Sequence, residues 1–523
     1  MKKNNFFVKD FIFNQKGLKD FYCPISMKIL EKFKLQIYQE LLFLIKSDKN
    51  KFYEMLKLNI FLIAKDLTNF FAIKKYILLS NKKPYSNFLR TKYTESIYLK
   101  KKILFTKDTN LFFNGLQKKN KILSSISKAK SYFFSKNLKY IKKENIKDNH
   151  IITFTKCELI ERKLSQEKHN VRLSSFYDWF KYGKINEKNL QMDEIEKNSS
   201  LKTFNTINKV FKNFGINLLE NEKNYIVRLI DSSFKVSLIH YSSLLNNRRY
   251  LPKKVWLGST GISFNRIFSY AVMMNGGIVY GFDHGAGSGW KDSITQHVIE
   301  FNYLDHFFTY NKKMQSALKK KFNKNLLFNK FRKNNIHYVE YKEKKNTKYI
   351  KKGNVYKSIV YIPRIYTKEA VIQGFNLFYP HQVYLDWQAR LFNNLKNLGF
   401  DLYYKPHPAN YHDVPISLLK KFDLKIIEKN MLNAYKKADI LLFDSVETSA
   451  FNESLKTNIP ILLININERN LDQNFISILK KRCGYISTNI DKKNRLILNS
   501  DLINLGIKEV KKKKLLNQEI FSL

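Results

Sequence analysis

Acidic residues are scarce in this chain. There are 44 Asp and Glu against 94 Lys and Arg in 523 residues, a formal net charge of +50. Cysteine is scarcer still: Cys23, Cys157 and Cys483 lie far apart, with no CxxC pair. That spacing argues against a disulfide framework and a cysteine-based zinc site, and for a reducing cytoplasm. Long hydrophobic runs are missing. The longest, at 267–280 and 459–464, fall short of the ~20 apolar residues that a membrane-spanning helix needs. The basic stretch 1–9 is not followed by the apolar core and small-residue cleavage site of a signal peptide. The expectation is a protein neither secreted nor integral. It would be cytoplasmic, with peripheral attachment to the inner face of the cytoplasmic membrane left open by its basic surface. Neither GxxxxGK[ST] nor GxGxxG occurs, so the usual phosphate and dinucleotide loops are not indicated.

Apolar residues, in contrast, are plentiful. Hydrophobic residues make up 44% and aromatics 15%, which is enough for sizeable cores and excludes a wholly disordered chain. At roughly 150 residues per domain the length fits three domains, or two large ones. The richness in Lys, Asn, Ile, Phe and Tyr reflects A/T-rich codons in part. Those codons do not explain why Lys so far outnumbers Glu. The surplus favours anionic headgroups, nucleotide-linked substrates or nucleic acid, with solvated surface as the plain alternative. No recognisable RNA- or DNA-binding motif is present, and the basic residues are spread rather than striped.

Residues 1–250 read mainly as helices, with apolar residues three and four apart in 27–45 and 52–79. Segment 115–170 is rich in Lys, Ser and Asn and reads as loops. The character changes near 250. An apolar run, 255–258, ends in Gly258-Ser259-Thr260-Gly261; a helical stretch, 263–275, and a second run, 277–282, follow. This is the repeating unit of a parallel α/β sheet. Segment 312–357 reads as a linker or surface insertion. From 358 strands alternate with helices: strands 358–362, 401–404, 424–427, 439–443 and 460–464, and helices 383–398, 415–422, 431–437 and 448–456. That alternation specifies a doubly wound parallel sheet, in which ligands bind outside the carboxyl ends of the strands.

Chemistry-bearing residues gather at those ends. After 277–282 comes Asp283-His284-Gly285-Ala286-Gly287-Ser288-Gly289. Gly285, Gly287 and Gly289 let backbone approach a ligand. His284 suits a general base, or else is a hydrogen-bonded histidine in a glycine turn. After 401–404 comes Lys405-Pro406-His407-Pro408, two cations on a backbone fixed by proline, either a phosphate grip or a rigid turn. After 439–443 comes Asp444-Ser445-Val446-Glu447-Thr448-Ser449, an anion site at a helix start or an ordinary N-cap. Glu453, seven residues before Pro460, suits ribose hydroxyls or is a surface residue. Arg364 adds a third cation after 358–362. Together these line one sheet edge as a nucleotide-diphosphate site. No convincing metal-ligand cluster accompanies them; Asp283, His284 and Asp292 come nearest to one.

The ordered set resembles bacterial surface-polysaccharide transferases of GT-B fold. It carries His284-Gly285, then Lys405-Pro406-His407-Pro408, then Asp444-Ser445 to Ser449 with Glu453 and Pro460. The likeness is closest to the CDP-glycerol glycerophosphotransferase-like and related capsule or surface-carbohydrate transferases. Bacterial sialyltransferases and Kdo transferases have similar His-Pro and Ser-Ser/Thr motifs. Tyr361-Ile362-Pro363-Arg364 is similar to that group's arginine-bearing loop, and Tyr384-Leu385-Asp386-Trp387-Gln388 to a surface-carbohydrate transferase group. The resemblance covers about 250–470, and the hydroxyl motif has Ser-Val-Glu-Thr-Ser in place of an adjacent pair.

It implies an α/β, GT-B-like fold of two Rossmann-like domains facing a cleft, with a helix-rich N-terminal portion. The expected division is 1–250 helix-rich, part of or appended to the first domain; 251–345 the rest of the acceptor-side domain; 355–500 the nucleotide-donor-binding domain; and 501–523 a basic tail. The implied activity is metal-independent transfer of a sugar or sugar-like group from a nucleotide-activated donor to a surface polysaccharide or lipid-linked glycan. The donor would be of CMP or CDP type, with UDP and GDP kept open. His284 and His407 would be catalytic, His284 as base. Arg364, Lys405, Ser445, Thr448 and Ser449 would hold phosphate, and Glu453 ribose. A sugar-nucleotide epimerase of similar double-Rossmann shape and a basic nucleic-acid-binding protein are the alternatives.

Overall fold

The computed structural model describes residues 26–80, 138–154, 157–166, 169–179, 191–284, 289, 296–340, 356–363, 381–406, 416–428, 430–446, 448–466, 471–492 and 494–512. Among them, thirteen strands form two sheets. The first contains β1 (Lys139–Tyr140), β2 (Ile151–Thr153), β3 (Val171–Leu173), β4 (Lys254–Leu257), β5 (Ile278–Phe282), β6 (His306–Thr309) and β7 (Ile336–Tyr338), in the order β1-β3-β2-β4-β5-β6-β7. The second contains β8 (Ser358–Ile362), β9 (Asp401–Tyr404), β10 (Lys425–Ile426), β11 (Ile440–Phe443), β12 (Ile461–Ile466) and β13 (Gly484–Thr488), in the order β10-β9-β8-β11-β12-β13. Every pairing in both sheets is parallel.

Strands covered on both faces are buried along their whole length, because helices exclude water from each side. β8, β11 and β12 meet that condition: every residue of the three is buried. The second sheet, counted from β8, has the strand order 3-2-1-4-5-6 of the doubly wound dinucleotide fold. The first reverses direction in the same way between β2 and β4. The two Rossmann-like units expected from the sequence are therefore present. No helix among the described residues is long and apolar enough to cross a membrane.

Three parts of the sequence reading change. Three strands of the first sheet, β1 to β3, come from within 138–173, where sequence indicates loops and helices. They are two or three residues long, too short for a two-residue periodicity to register. Segment 312–340 is no insertion, because helix Lys312–Lys320 and β7 complete the first sheet. Within the expected tail, helix Ser500–Lys512 packs Ile503, Ile507 and Val510 into the core.

The N-terminal helices Met27–Ser47, Lys51–Leu56, Ile60–Ser80, Glu194–Asn213 and Glu220–Asn246 share the main core with the first sheet. Phe33 stacks on Phe71 at 4.0 Å and meets Phe211 edge-on at 5.0 Å. Helix Glu194–Asn213 starts with a capping box. The Asp193 carboxylate accepts the Glu196 N–H, and Glu196 accepts the Asp193 N–H. Lys74 and Glu222 form a buried ion pair of 2.6 Å between two of these helices.

Candidate functional site

In an open parallel sheet the crevice opens where strand order reverses, beyond the carboxyl ends of the strands. In the first sheet that point lies between β2 and β4. The 258–261 loop follows β4 and is held from two sides. Glu300 Oε1 accepts the Ser259 hydroxyl (3.0 Å) and Oε2 accepts the Thr260 N–H (3.0 Å), while the Thr260 hydroxyl is shared between Oε2 (2.9 Å) and the Ile299 carbonyl. The buried Arg266 guanidinium donates to the Thr260 and Gly261 carbonyls, both at 2.9 Å, and to Leu58 O at 2.7 Å. Burial raises the Glu300 carboxyl above its ordinary value, against the opposing pull of Thr260 and His284. Donors and acceptors of the loop are thus both engaged.

His284 is exposed at the end of β5, beside buried Asp283. Cys157 and Tyr310 share Asp283's surroundings. Burial, reinforced by Asp283, pushes the Cys157 thiol up to about 12, so this cysteine is no ready nucleophile. Burial and then Asp283 and Glu158 raise the Tyr310 hydroxyl. The Arg162 guanidinium lies 5.2 Å from the Tyr310 ring centre and pairs with Glu158. Gly289 has φ +88°, and a Cβ there would meet the Met314 carbonyl at 2.7 Å. Helix Lys312–Lys320 thus accounts for a glycine at that position. Lys321 donates to the Gly289 carbonyl (3.1 Å).

In the second sheet the reversal lies between β8 and β11. Asp444 is fully buried at the end of β11 and accepts hydrogen bonds from both Tyr361 and Tyr384, while Gln388 donates to Tyr361 (2.7 Å). Its carboxylate is therefore a fastening for the 445–448 segment. Lys405, at the end of β9, is buried, and burial lowers its pKa. Its Nζ donates to the Pro406 carbonyl (3.0 Å), and among the described residues no carboxylate pairs with it. Ser445 is buried. Thr448 caps helix Ser449–Leu455, its hydroxyl accepting the Phe451 N–H at 3.0 Å. Glu453 lies on that helix. Desolvation first, and the Glu158 carboxylate second, raise its carboxyl.

Glu158 opens the helix Glu158–Gln166 just after β2 and lies within electrostatic reach of Glu453, which follows β11, so the two carboxyl edges are near each other. Lys321 and Asp472 also approach across the two units, at 3.9 Å. Of the sequence candidates, His284 therefore lies on one edge and Lys405, Ser445, Thr448 and Glu453 on the other. His407, Arg364, Gly285, Gly287 and Asp292 lie outside the described residues, as does the side chain of Ser449. Among the described residues no three His, Cys, Asp or Glu side chains gather in a metal-binding group. Sequence reading places no candidate at Glu158 or Glu300. Only the strand order, which sets β2 beside β4, brings them to the edge.

No protein-family model and no curated protein sequence matches the chain. Among solved structures, Anabaena HepE in complex with UDP is similar at 10% identity and a TM-score of 0.32, covering 54% of this chain and 75% of that one. UDP-GlcNAc 2-epimerase from Neisseria meningitidis, bound to UDP-GlcNAc, is similar at 11% identity and a TM-score of 0.36, covering 71% and 92%. The Rickettsia bellii UDP-N-acetylglucosamine 2-epimerase is similar at 10% identity and a TM-score of 0.35, covering 70% and 88%.

Proposed function

We propose that the chain is a GT-B-type transferase that moves a sugar or sugar-like group from a nucleotide-activated donor to a glycan or lipid-linked acceptor at the cytoplasmic face of the membrane. The observation that carries this reading is Lys405, a desolvated ammonium at the carboxyl end of β9 that no described carboxylate neutralises. An anionic phosphate is the natural answer to such a cation. Ser445 and Thr448 lie at the same edge, and His284 stands at the opposite one. In the reaction the acceptor O–H bond breaks and its proton passes to the His284 imidazole. The acceptor oxygen bonds to the reacting atom of the transferred group. The bond from that atom to the donor phosphate breaks, and its electrons stay on the phosphate, where Lys405 stabilises the charge. His407 and Arg364 would add cations there, and Glu453 would receive ribose hydroxyls.

A thermal-shift panel of CMP, CDP, UDP, GDP and ADP on wild type and Lys405→Met tests the donor side. A nucleotide at a hundredfold excess over its Kd stabilises the native state by about 2.7 kcal/mol. One nucleotide should raise the wild-type melting temperature and lose that effect in the variant. A shift that persists in Lys405→Met overturns the assignment. Conversion of the activated sugar without any acceptor would replace transfer by epimerisation.

A further inference from the structure

Two histidines that the proposed mechanism does not use face each other in the first sheet. His306 Nδ1 lies 3.1 Å from His337 Nε2. His306 opens β6 and His337 is the middle residue of β7; Tyr280 stands directly opposite His306, and Phe308 opposite His337. The His306 ring stacks on Tyr280 at 5.1 Å, and the His337 ring lies 5.1 Å from that of Phe308. These rings hold the two imidazoles against each other. β7 has little else to fix it sideways. It is three residues long, ends the sheet, and among the described residues pairs with β6 alone.

An imidazole N–H can be shared only with a neutral nitrogen of the other ring. The pair therefore holds with both rings neutral or with one charged. A second proton sets two positive rings against each other. The charged groups facing the pair impose the same limit. Asp305, just before β6, lies within electrostatic reach of His306 and favours a first charge. Lys319 from helix Lys312–Lys320 and Lys163 from helix Glu158–Gln166 face His337 and oppose another. Lys163 Nζ lies 4.9 Å from the centre of the Phe308 ring. Burial first, and then His306 and these two lysines, hold the His337 imidazole below its ordinary value.

We infer that the His306–His337 pair is a proton-sensitive clasp at the edge of the first sheet, closed at neutral pH and opened by acid, so that β7 loosens from β6. The inference is independent of the transfer reaction. The helix joining the two strands ends at Lys321, the donor to the Gly289 carbonyl, so the clasp closes a corner that reaches the segment after β5.

Hydrogen exchange of the full chain at about pH 7.5 and about pH 5.5, corrected for the intrinsic rate of each amide, tests this. Between those values an ordinary imidazole gains its proton, and the opened or unfolded chain gains it before the native pair does. Protection of the β7 amides and of Val339, whose N–H donates to the Thr309 carbonyl, should fall by up to about tenfold on acidification. The amides of β11 and β12, in the other sheet, should change less. In His337→Gln, whose side chain still hydrogen-bonds but does not titrate, the extra fall at β7 should vanish. An equal fall in that variant overturns the inference. Should His337→Gln fail to fold, the wild type decides: a fall at β7 no larger than that at β11 and β12 overturns it.

Discussion

Asp444 shows how a residue can sit inside a legible motif and have another job. It directly precedes the hydroxyl run that marks the phosphate edge, yet its carboxylate is buried beneath the hydroxyls of Tyr361 and Tyr384. Burial first, and Asp444 second, raise the Tyr384 hydroxyl, which keeps it a donor. Asp444→Ala removes the carboxylate that both hydroxyls share, leaving them with each other at 3.1 Å, at an expected cost of about 1–3 kcal/mol. Adding Tyr361→Phe and Tyr384→Phe to that variant should return part of the loss, because the hydroxyls needing a partner are then gone. Urea denaturation of the two variants checks this, and a triple variant no more stable than Asp444→Ala refutes it. Thr448 makes a related point. Its hydroxyl caps a helix, and no sequence separates a cap from a ligand site, because both use the same donors at the same turn.

At the scale of elements, the second sheet is highly legible. Sequence and structure place β8 and β9 at the same residues, and most other elements agree within one or two. A fully buried strand is a continuous apolar run bounded by polar turns, so a single segment carries its own signature. The run Tyr384-Leu385-Asp386-Trp387-Gln388 is a different case, for Tyr384, Asp386 and Gln388 are occupied within the protein. Asp386 is fully buried and pairs with Arg390 at 2.8 Å and Arg495 at 2.6 Å. Arg390 also donates to the Leu496 carbonyl. This knot ties helix His381–Asn397 to the segment after β13. Asp386→Ala removes the buried carboxylate that both guanidinium groups share and should cost about 3–5 kcal/mol. The loss is read from denaturation midpoints, and a change under about 1 kcal/mol would show that the knot is not a stabilising element.

The whole molecule brings two carboxyl edges together, and one acidic pair reports on it. The native Glu453 carboxyl lies above its ordinary value of 4.5. As pH rises past that value the unfolded chain ionises first, so native stability falls across the window above pH 4.5 and stays lower at neutral pH. Glu453→Gln should therefore raise the melting temperature at pH 7 and leave it nearly unchanged at pH 4. Since Glu158 supplies part of the effect from the other unit, Glu158→Gln and Glu453→Gln should combine non-additively. Strict additivity at pH 7 would mean that the two edges do not face each other in solution.

Sequence alone determined what depends on neighbouring residues along the chain: the buried strands of the second sheet, the helices between them, and polar residues collected at their carboxyl ends. It also established a basic chain with few cysteines and no long apolar run. The tertiary structure decided what depends on which strands lie side by side. β2 and β3 are three residues each and hold their places by pairing with distant strands, so no local periodicity announces them. Glu300 meets the loop after β4 across 40 residues of chain. Glu158 and Glu453 come within electrostatic reach of each other only when two separately wound sheets turn their carboxyl edges toward each other. Pairing and packing are long-range contacts, and they convert a list of polar residues into a site with two sides.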